Sequence, residues 1–292
     1  MSRIHLTVAL LGVLAFAPFT IAAVVGLDTF DVGASPSRDD DGDDPDDFQF
    51  WKVEGVNSLS VADDPAGIGS GNALFINQSA GNHRFVAPFP TQTLAKAGDA
   101  LSVSFDYRLT QAASTQTFTP YFGLYHDGGT PMTADGQSGN DDDDAGYAAR
   151  TSVGTQTVVR LGAEVNADSW IVAGSDDQSL QDDTFPGLVQ GEVRNYALTI
   201  TRTVDGVQLD LVVTDLTTGP TDDYSLTHTF IAVDGDPILT SFNEFALRTR
   251  DNNAAIDNLN ITFVPEPASL VLLGLSGAAV IRRRRNYRCS TR

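Results

Sequence analysis

From Leu101 to Leu109 the chain alternates without a break: Leu101, Val103, Phe105, Tyr107 and Leu109 are apolar, and Ser102, Ser104, Asp106 and Arg108 are polar. A period of two is that of a strand with one face in a core and the other in water. The same period returns in Tyr196, Leu198 and Ile200 and in Val207, Leu209, Leu211 and Val213. These two runs flank Asp205-Gly206, where the positive φ of a hairpin turn costs little. Further strands are expected at Phe48 to Val53, Ala73 to Ile76, Thr117 to Tyr125, Thr157 to Ala163, Ser169 to Ala173, Tyr224 to Ile231, Glu244 to Thr249 and Ile256 to Phe263. Helical periodicity is absent from this region. Short strands divided by Gly, Pro, Asn and Asp turns bury their apolar faces best as two sheets laid together. The expected fold class is therefore all-β, a two-sheet antiparallel sandwich of the jelly-roll type. The longest breaks, residues 38–47 and 128–146, are acidic and read as loops within one domain.

The single cysteine, Cys289, lies near the C-terminus, so the strand-rich region has no disulfide available and needs a packed core for its stability. Arg3, the largely apolar stretch Ile4 to Phe19 and the small pair Ala22-Ala23 have the three parts of a secretory signal peptide. Three segments follow: a signal peptide at 1–23, a β-sandwich ectodomain at 24–263, and a C-terminal segment at 264–292. At about 240 residues the ectodomain is long enough for one sizeable core.

The C-terminal segment has its own order of parts. Val264-Pro265-Glu266-Pro267 leads into an apolar run from Ala268 to Ile281, closed by Arg282, Arg283, Arg284 and Arg285. Fourteen helical residues at 1.5 Å each span about 21 Å, short of the roughly 30 Å hydrocarbon core of a bilayer. Arginine snorkelling and local thinning make up part of the deficit. Gly274, Ser276, Gly277, Ala278 and Ala279 offer a small-residue face to a second helix. The two prolines keep the segment around Glu266 extended, the form that a processing enzyme can grip. This arrangement resembles the PEP-CTERM sorting signal of Gram-negative and related bacteria, over about a tenth of the chain. The resemblance implies recognition at Pro265, Glu266, Pro267 and Arg282 to Arg285 by a membrane-embedded exosortase. It also implies transient membrane engagement through a short C-terminal transmembrane helix, then delivery to the cell surface, outer membrane or extracellular matrix. Proteins of this kind are commonly linked to exopolysaccharide and biofilm. The alternative is an ordinary C-terminal anchor with a basic stop-transfer cluster.

Charge narrows the partners. Without Arg3 and the six arginines of the C-terminal segment, 11 basic residues face 37 acidic ones, a net of −26. Nucleic acid is excluded as a partner, because phosphate is repelled and no basic stripe interrupts the acidity along the chain. A hydrated anionic surface of this kind keeps a secreted protein soluble in salty water and collects divalent cations.

The N-terminal Gly26-Leu27-Asp28-Thr29-Phe30-Asp31, the hairpin from Tyr196 to Asp215 and the final run Ile256-Asp257-Asn258-Leu259-Asn260-Ile261 resemble, in this order, concanavalin A-like (laminin-G-like) and carbohydrate-binding-module jelly rolls. In such folds the first and last strands lie side by side. The resemblance thus implies that Asp28 or Asp31 approaches Asp257, where carboxylates repel unless a cation joins them. A structural Ca²⁺ held by Asp28, Asp31 and Asp257 is the expectation, and solvated aspartates are the alternative. The run Asp39-Asp40-Asp41-Gly42-Asp43-Asp44 approaches an EF-type loop, but Ser37 and Phe48 occupy its first and twelfth positions. It reads as a solvated loop, as does Asp141 to Asp144.

No catalytic motif is present. Sandwich glycosidases need two carboxyl groups about 5–9.5 Å apart, and the Glu-x-Asp-x-x-Glu of laminarinase-like enzymes is missing. Glu54, Glu164, Glu192 and Glu244 have no partner at a useful offset, and His83, His126 and His228 stand alone. A binding role fits the residues better, since sugars stack on flat aromatic faces. Trp51, Tyr125 and Trp170 are the candidate ligand-binding residues, with Tyr121 and Tyr147 as further aromatics. The expected function is that of a non-catalytic surface or matrix protein associating with extracellular polysaccharide. The alternatives are a carbohydrate-active hydrolase on the same sandwich, and a purely structural matrix protein.

Overall fold

The computed structural model describes residues 22–30, 48–54, 59–64, 68, 71–76, 82–111, 120–137, 144–155, 157–164, 178–217, 223–235, 237–250 and 253–266. The expected signal peptide up to residue 21, the strand at Ser169 to Ala173, Asp31, Trp170, Pro267 and the segment from Ala268 through Arg285 lie outside the described residues. So does the acidic run at 39–44. Among the described residues, no helix is long and apolar enough to cross a membrane.

One compact unit, Ala22–Pro265, contains all fifteen described strands. They are β1 (Ala23–Asp28), β2 (Trp51–Glu54), β3 (Leu59–Asp63), β4 (Asn72–Ile76), β5 (Asn82–Thr93), β6 (Ala100–Leu109), β7 (Tyr121–His126), β8 (Ala145–Arg150), β9 (Val158–Glu164), β10 (Gln178–Thr184), β11 (Val193–Arg202), β12 (Gly206–Asp215), β13 (Tyr224–Ile231), β14 (Ser241–Arg250) and β15 (Ala254–Val264). A 3-10 turn, Ala232–Asp234, accompanies them among the described residues.

The strands form the two expected antiparallel sheets. The eight-stranded sheet runs β13-β12-β11-β6-β15-β4-β3, and the seven-stranded sheet runs β10-β9-β8-β7-β14-β5-β2. β15 shares its second edge between two partners: Ala254 to Ile256 pair with β4, and Leu259 to Phe263 pair with β1. The first and last strands thus lie side by side, with Asp28 opposite Leu259. The hairpin of β11 and β12 keeps one register from Arg194↔Asp215 to Arg202↔Val207.

Alternation builds the core. Leu101, Val103, Phe105, Leu198, Ile200, Leu209 and Leu211 point inward from the first sheet, against Phe85, Phe122, Leu124, Phe245 and Leu247 of the second. Burying each such side chain contributes roughly 1.5–3 kcal/mol. Aromatic rings carry the contact across the gap. Phe105 meets Phe122 edge-on at 4.8 Å and stacks on Tyr196 at 5.8 Å. Tyr147, a candidate for a sugar platform in the sequence, instead packs inside against Phe230 at 4.9 Å and donates its hydroxyl proton to the Pro237 carbonyl at 2.8 Å.

At one edge the sheets are tied by Tyr224 on β13, which donates to the Asp183 carboxylate of β10 at 2.8 Å and packs against Phe185 at 4.8 Å. Burial, the proton it donates to Asp183 and that carboxylate's charge push the Tyr224 phenol up. The Thr184 amide and the Tyr224 hydroxyl hold Asp183 below its ordinary value.

Candidate functional site

The outer faces of the two sheets differ in kind. On the eight-stranded sheet that face carries Ser, Thr, Asn and Asp side chains that satisfy one another. Ser102 and Thr199 are 2.9 Å apart, and Thr227 and Gln208 both donate to Asp210. Two polar groups are drawn deeper. Asp106 accepts from Asn195 at 2.7 Å and from Asn258 at 2.8 Å. Arg108 donates to Asp64 at 2.6 Å with both side chains buried. These contacts close the second half of β6 on both faces, where a simple alternation predicts exposure.

Asp28 ends the β1/β15 pairing opposite Leu259, Asp257 lies two residues earlier on β15 opposite Asp106, and the two are 8% and 4% exposed. Each has one oxygen turned to its own backbone: Phe30 N–H donates to Asp28 at 2.9 Å, and Asn258 N–H donates to Asp257 at 2.7 Å. Asn258 adopts a φ of 53° inside a bulge between Asp257 and Asn260. Two of the three expected calcium ligands therefore occupy neighbouring strands, and Asp31 is outside the described residues. Among the described residues no group of three His, Cys, Asp or Glu side chains is placed to hold a metal ion. The His126 ring accepts the Gly128 N–H at 3.1 Å, and His228 packs edge-on against Phe230.

The outer face of the seven-stranded sheet is built from three rows that cross its strands. In the first, strand register sets Arg160, Arg150, Tyr121, Arg248 and Arg84 side by side on β9, β8, β7, β14 and β5. Arg150 lies over the Tyr121 ring at 5.9 Å. Asp182 and Glu54 occupy the flanking register positions on β10 and β2. The second row is Gly162, Ala148, Gly123, Ala246, Val86 and Trp51, small except at its last member. The third is Glu164, Gly146, Tyr125, Glu244 and Pro88.

The small residues have a packing cause. The Tyr125 ring lies across the strand floor, so that a Cβ at Gly146 would stand 2.6 Å from its Cγ and one at Gly123 would stand 2.7 Å from its Cε2. Tyr125 is consequently fully buried, in a cluster with Val53, Val86, Tyr121, Met132, Ala148 and Ala246, and Trp51 packs partly buried at the margin. This corrects the sequence reading: Tyr125 has no face left for a sugar, and Tyr121 is buried as well. Trp51 keeps partial exposure.

A loop packs onto the Tyr125 cluster. The loop after β7 brings Met132 onto the cluster. Its Asp135 carboxylate accepts the Lys52 N–H at 2.9 Å, and Gly136 N–H donates to the Lys52 carbonyl at 2.8 Å. Gln137 stiffens the loop by accepting from the Thr133 and Ala134 amides at 2.7 and 3.0 Å. Glu244, Glu164 and Arg248 on this face are buried, whereas Arg84, Arg150 and Arg160 stay half-buried.

Beyond the sandwich, β15 runs to Val264, and Pro265 and Glu266 follow it, partly exposed and outside any strand. Residues 263–285 match the PEP-CTERM protein-sorting motif. The chain carries a PEP-CTERM sorting motif. Its first two residues still belong to β15, so the motif starts inside the last strand. The motif implies an exported protein that an exosortase processes.

No curated protein matches the sequence. Solved structures with a similar layout include the Lotus tetragonolobus seed lectin, at 12% identity and TM-score 0.48, covering 85% of this chain and 100% of that one. Peanut lectin with a nine-residue peptide has 11% identity and TM-score 0.47, covering 80% and 96%. A carbohydrate esterase from Shiga toxin-encoding bacteriophage phi24B has 13% identity and TM-score 0.45, covering 84% and 100%. At these scores none of them bears on this chain's ligand, and the sandwich rests on its own strand pairing.

Proposed function

We propose that this PEP-CTERM chain is a non-catalytic protein of the cell surface or extracellular matrix that associates with exopolysaccharide. The observation that carries the reading is the sorting motif at 263–285, joined to the last strand of a cysteine-free sandwich with no linker between them. A domain held by its core alone, with a surplus of 26 negative charges, tolerates the oxidising and salty space outside a cell.

The absence of catalysis is supported by the spacing of the carboxyl groups. Glu164 and Glu244 occupy one row but have Gly146 and Tyr125 between them. Three strand spacings of ~4.8 Å separate them by about 14 Å, beyond the roughly 5–9.5 Å of a glycosidase pair. Of the other described glutamates within the fold, Glu54 sits at the register position beside Arg84 on β2, and Glu192 is engaged with Arg194 at 2.8 Å on the opposite sheet.

Fractionation of producing cells tests the reading. The protein is expected in the exopolysaccharide fraction and is expected to leave it when the exosortase gene is deleted. Equal recovery in the culture fluid with and without exosortase contradicts the proposal, and reducing-sugar release from the matrix polysaccharide overturns its non-catalytic part.

A further inference from the structure

We infer that the end of the sandwich from which the sorting motif leaves is a membrane-contact surface, and that Val204 and Val233 touch the headgroup layer of a phospholipid bilayer while the chain is still uncut. The inference rests on the sorting motif and on strand register, and not on the exopolysaccharide reading.

The first argument is register. Val264 closes β15 opposite Ala100, Ala100 stands opposite Thr201 on β11, and one residue further Arg202 stands opposite Val207 on β12. Gly206 then pairs with Ile231 at the end of β13, and the Ala232 amide donates to the Asp205 carbonyl at 3.1 Å. The hairpin turn with Val204 and the 3-10 turn with Val233 therefore adjoin, and both project from the same end as Val264. β1 starts at that end too, with Ala23 opposite Phe263. Both segments that the sequence marks for a membrane, the expected signal peptide and the apolar run after Pro267, leave from this one end.

The second argument is exposure. Val204 and Val233 are 83% and 87% exposed, more than any other large apolar side chain among the described residues, and neither packs on the core. One exposed valine needs no explanation. Two on adjoining turns, beside the departing motif, make an apolar tip. Around it the exposed Lys96 and the half-buried Arg202 offset Asp205 and Asp234, and the Lys96 loop is tied to the hairpin by the Gly98 amide, which donates to the Arg202 carbonyl at 2.8 Å. The tip thus meets a zwitterionic lipid without the surplus charge of the ectodomain as a whole.

The third argument is reach. Only Pro265, Glu266 and Pro267 lie between Val264 and the apolar run that starts at Ala268. Four residue steps of at most ~3.6 Å keep the edge of the hydrocarbon within about 14 Å of the end of β15. The headgroup layer fills roughly 5–8 Å of that gap. Val204 stands three residues past Thr201, which at ~3.3 Å per residue carries it up to about 10 Å beyond the level of Val264. A sandwich standing on this end puts its tip in the headgroup layer. Two valines do not hold a domain on a bilayer by themselves. The tether supplies the local concentration, so the contact ends when the motif is cut.

The test uses the full uncut chain, isolated from cells lacking exosortase and reconstituted through its apolar run into phosphatidylcholine vesicles. Cys289→Ser removes the native thiol, and a polar fluorescent dye is attached in turn to Val204→Cys, Val233→Cys and Leu216→Cys, the last at the opposite end of the sandwich. A nitroxide on the lipid headgroup is expected to quench the dye at residues 204 and 233 and to leave it bright at residue 216. Adding Val204→Asp to the chain labelled at residue 233 is expected to remove most of the quenching. Thermal unfolding of each variant is expected to match that of the parent chain, since both valines are exposed. Equal quenching at all three positions, or none at residues 204 and 233, overturns the inference. Quenching that appears only after exosortase is added assigns the tip to that enzyme and overturns the lipid contact. No polysaccharide is present, so each result leaves the exopolysaccharide reading standing.

Discussion

Arg150 holds its guanidinium carbon 5.9 Å from the centre of the Tyr121 ring, and the two residues face each other across β8 and β7 in the middle of the cation row. The ring is 4% exposed, so it acts as a shelf beneath the charge and not as a surface of its own. Tyr121→Phe keeps that shelf and is expected to destabilise less than loss of the whole ring. Tyr121→Ala removes a buried aromatic and is expected to cost about 3–5 kcal/mol, measured by denaturant unfolding.

The Tyr125 ring over Gly146 makes a second point of sensitivity. A methyl group at residue 146 has to displace both strand and ring, because it would meet the Leu124 carbonyl oxygen and stand 2.6 Å from Tyr125 Cγ. Gly146→Ala is expected to destabilise by about 1–3 kcal/mol, the usual cost of overpacking. That corresponds to a fall of several degrees in melting temperature. Pairing it with Tyr125→Ala is expected to recover part of the loss due to the glycine change, as a double-mutant cycle would show.

The ion pair of Arg108 and Asp64 is buried on the outer face of the eight-stranded sheet, and Asp64 also accepts the Ile68 amide at 3.3 Å. Asp64→Ala strands the guanidinium and is expected to cost about 3–5 kcal/mol. Replacing both residues by apolar ones of similar volume is expected to cost less than this single change. Chemical denaturation of the two variants makes the comparison.

Tyr196 gives the fold an alkaline limit. Burial pushes its phenol up to about 12, against the opposing pull of the Arg194 charge. The unfolded chain loses this proton near pH 10 and the folded one near pH 12, so the stabilisation is complete below pH 10 and declines as pH rises through that window. Two pKa units correspond to a loss on the order of 3 kcal/mol. Tyr196→Phe is expected to flatten the decline between pH 10 and 12, read from unfolding free energies at each pH.

Much of the architecture was legible in the sequence, because alternation reports burial directly. The hairpin around Asp205-Gly206 and β6, β13 and β15 follow the expected runs closely. β5 escaped notice because Pro88 and Pro90 argue against a strand. Its partner β2 reaches only Arg84 to Val86, so both prolines sit where β5 has a free edge and no ladder bond is lost. β8 escaped for a different reason: Ala145, Gly146, Ala148 and Ala149 have low strand propensity, and the outer-face pair Gly146 and Ala148 is small where the Tyr125 ring lies over the floor. Its first residues were read as the end of a loop. The cation row was invisible for lack of a local signal. Arg84 and Arg248 are separated by most of the domain, and each alone looks like a solvated surface charge. Gly123, Gly146 and Gly162 inside strand patterns were the available clue, since mid-strand glycines mark a close approach.

The central claim is that the chain is exported, cut at its PEP-CTERM motif and held in the matrix. Intact-mass spectrometry of the protein extracted from the exopolysaccharide fraction tests this most directly. The account predicts a mature species that lacks the apolar run and the arginines from Arg282 through Arg285. A mature, surface-exposed species that still carries those arginines would contradict it.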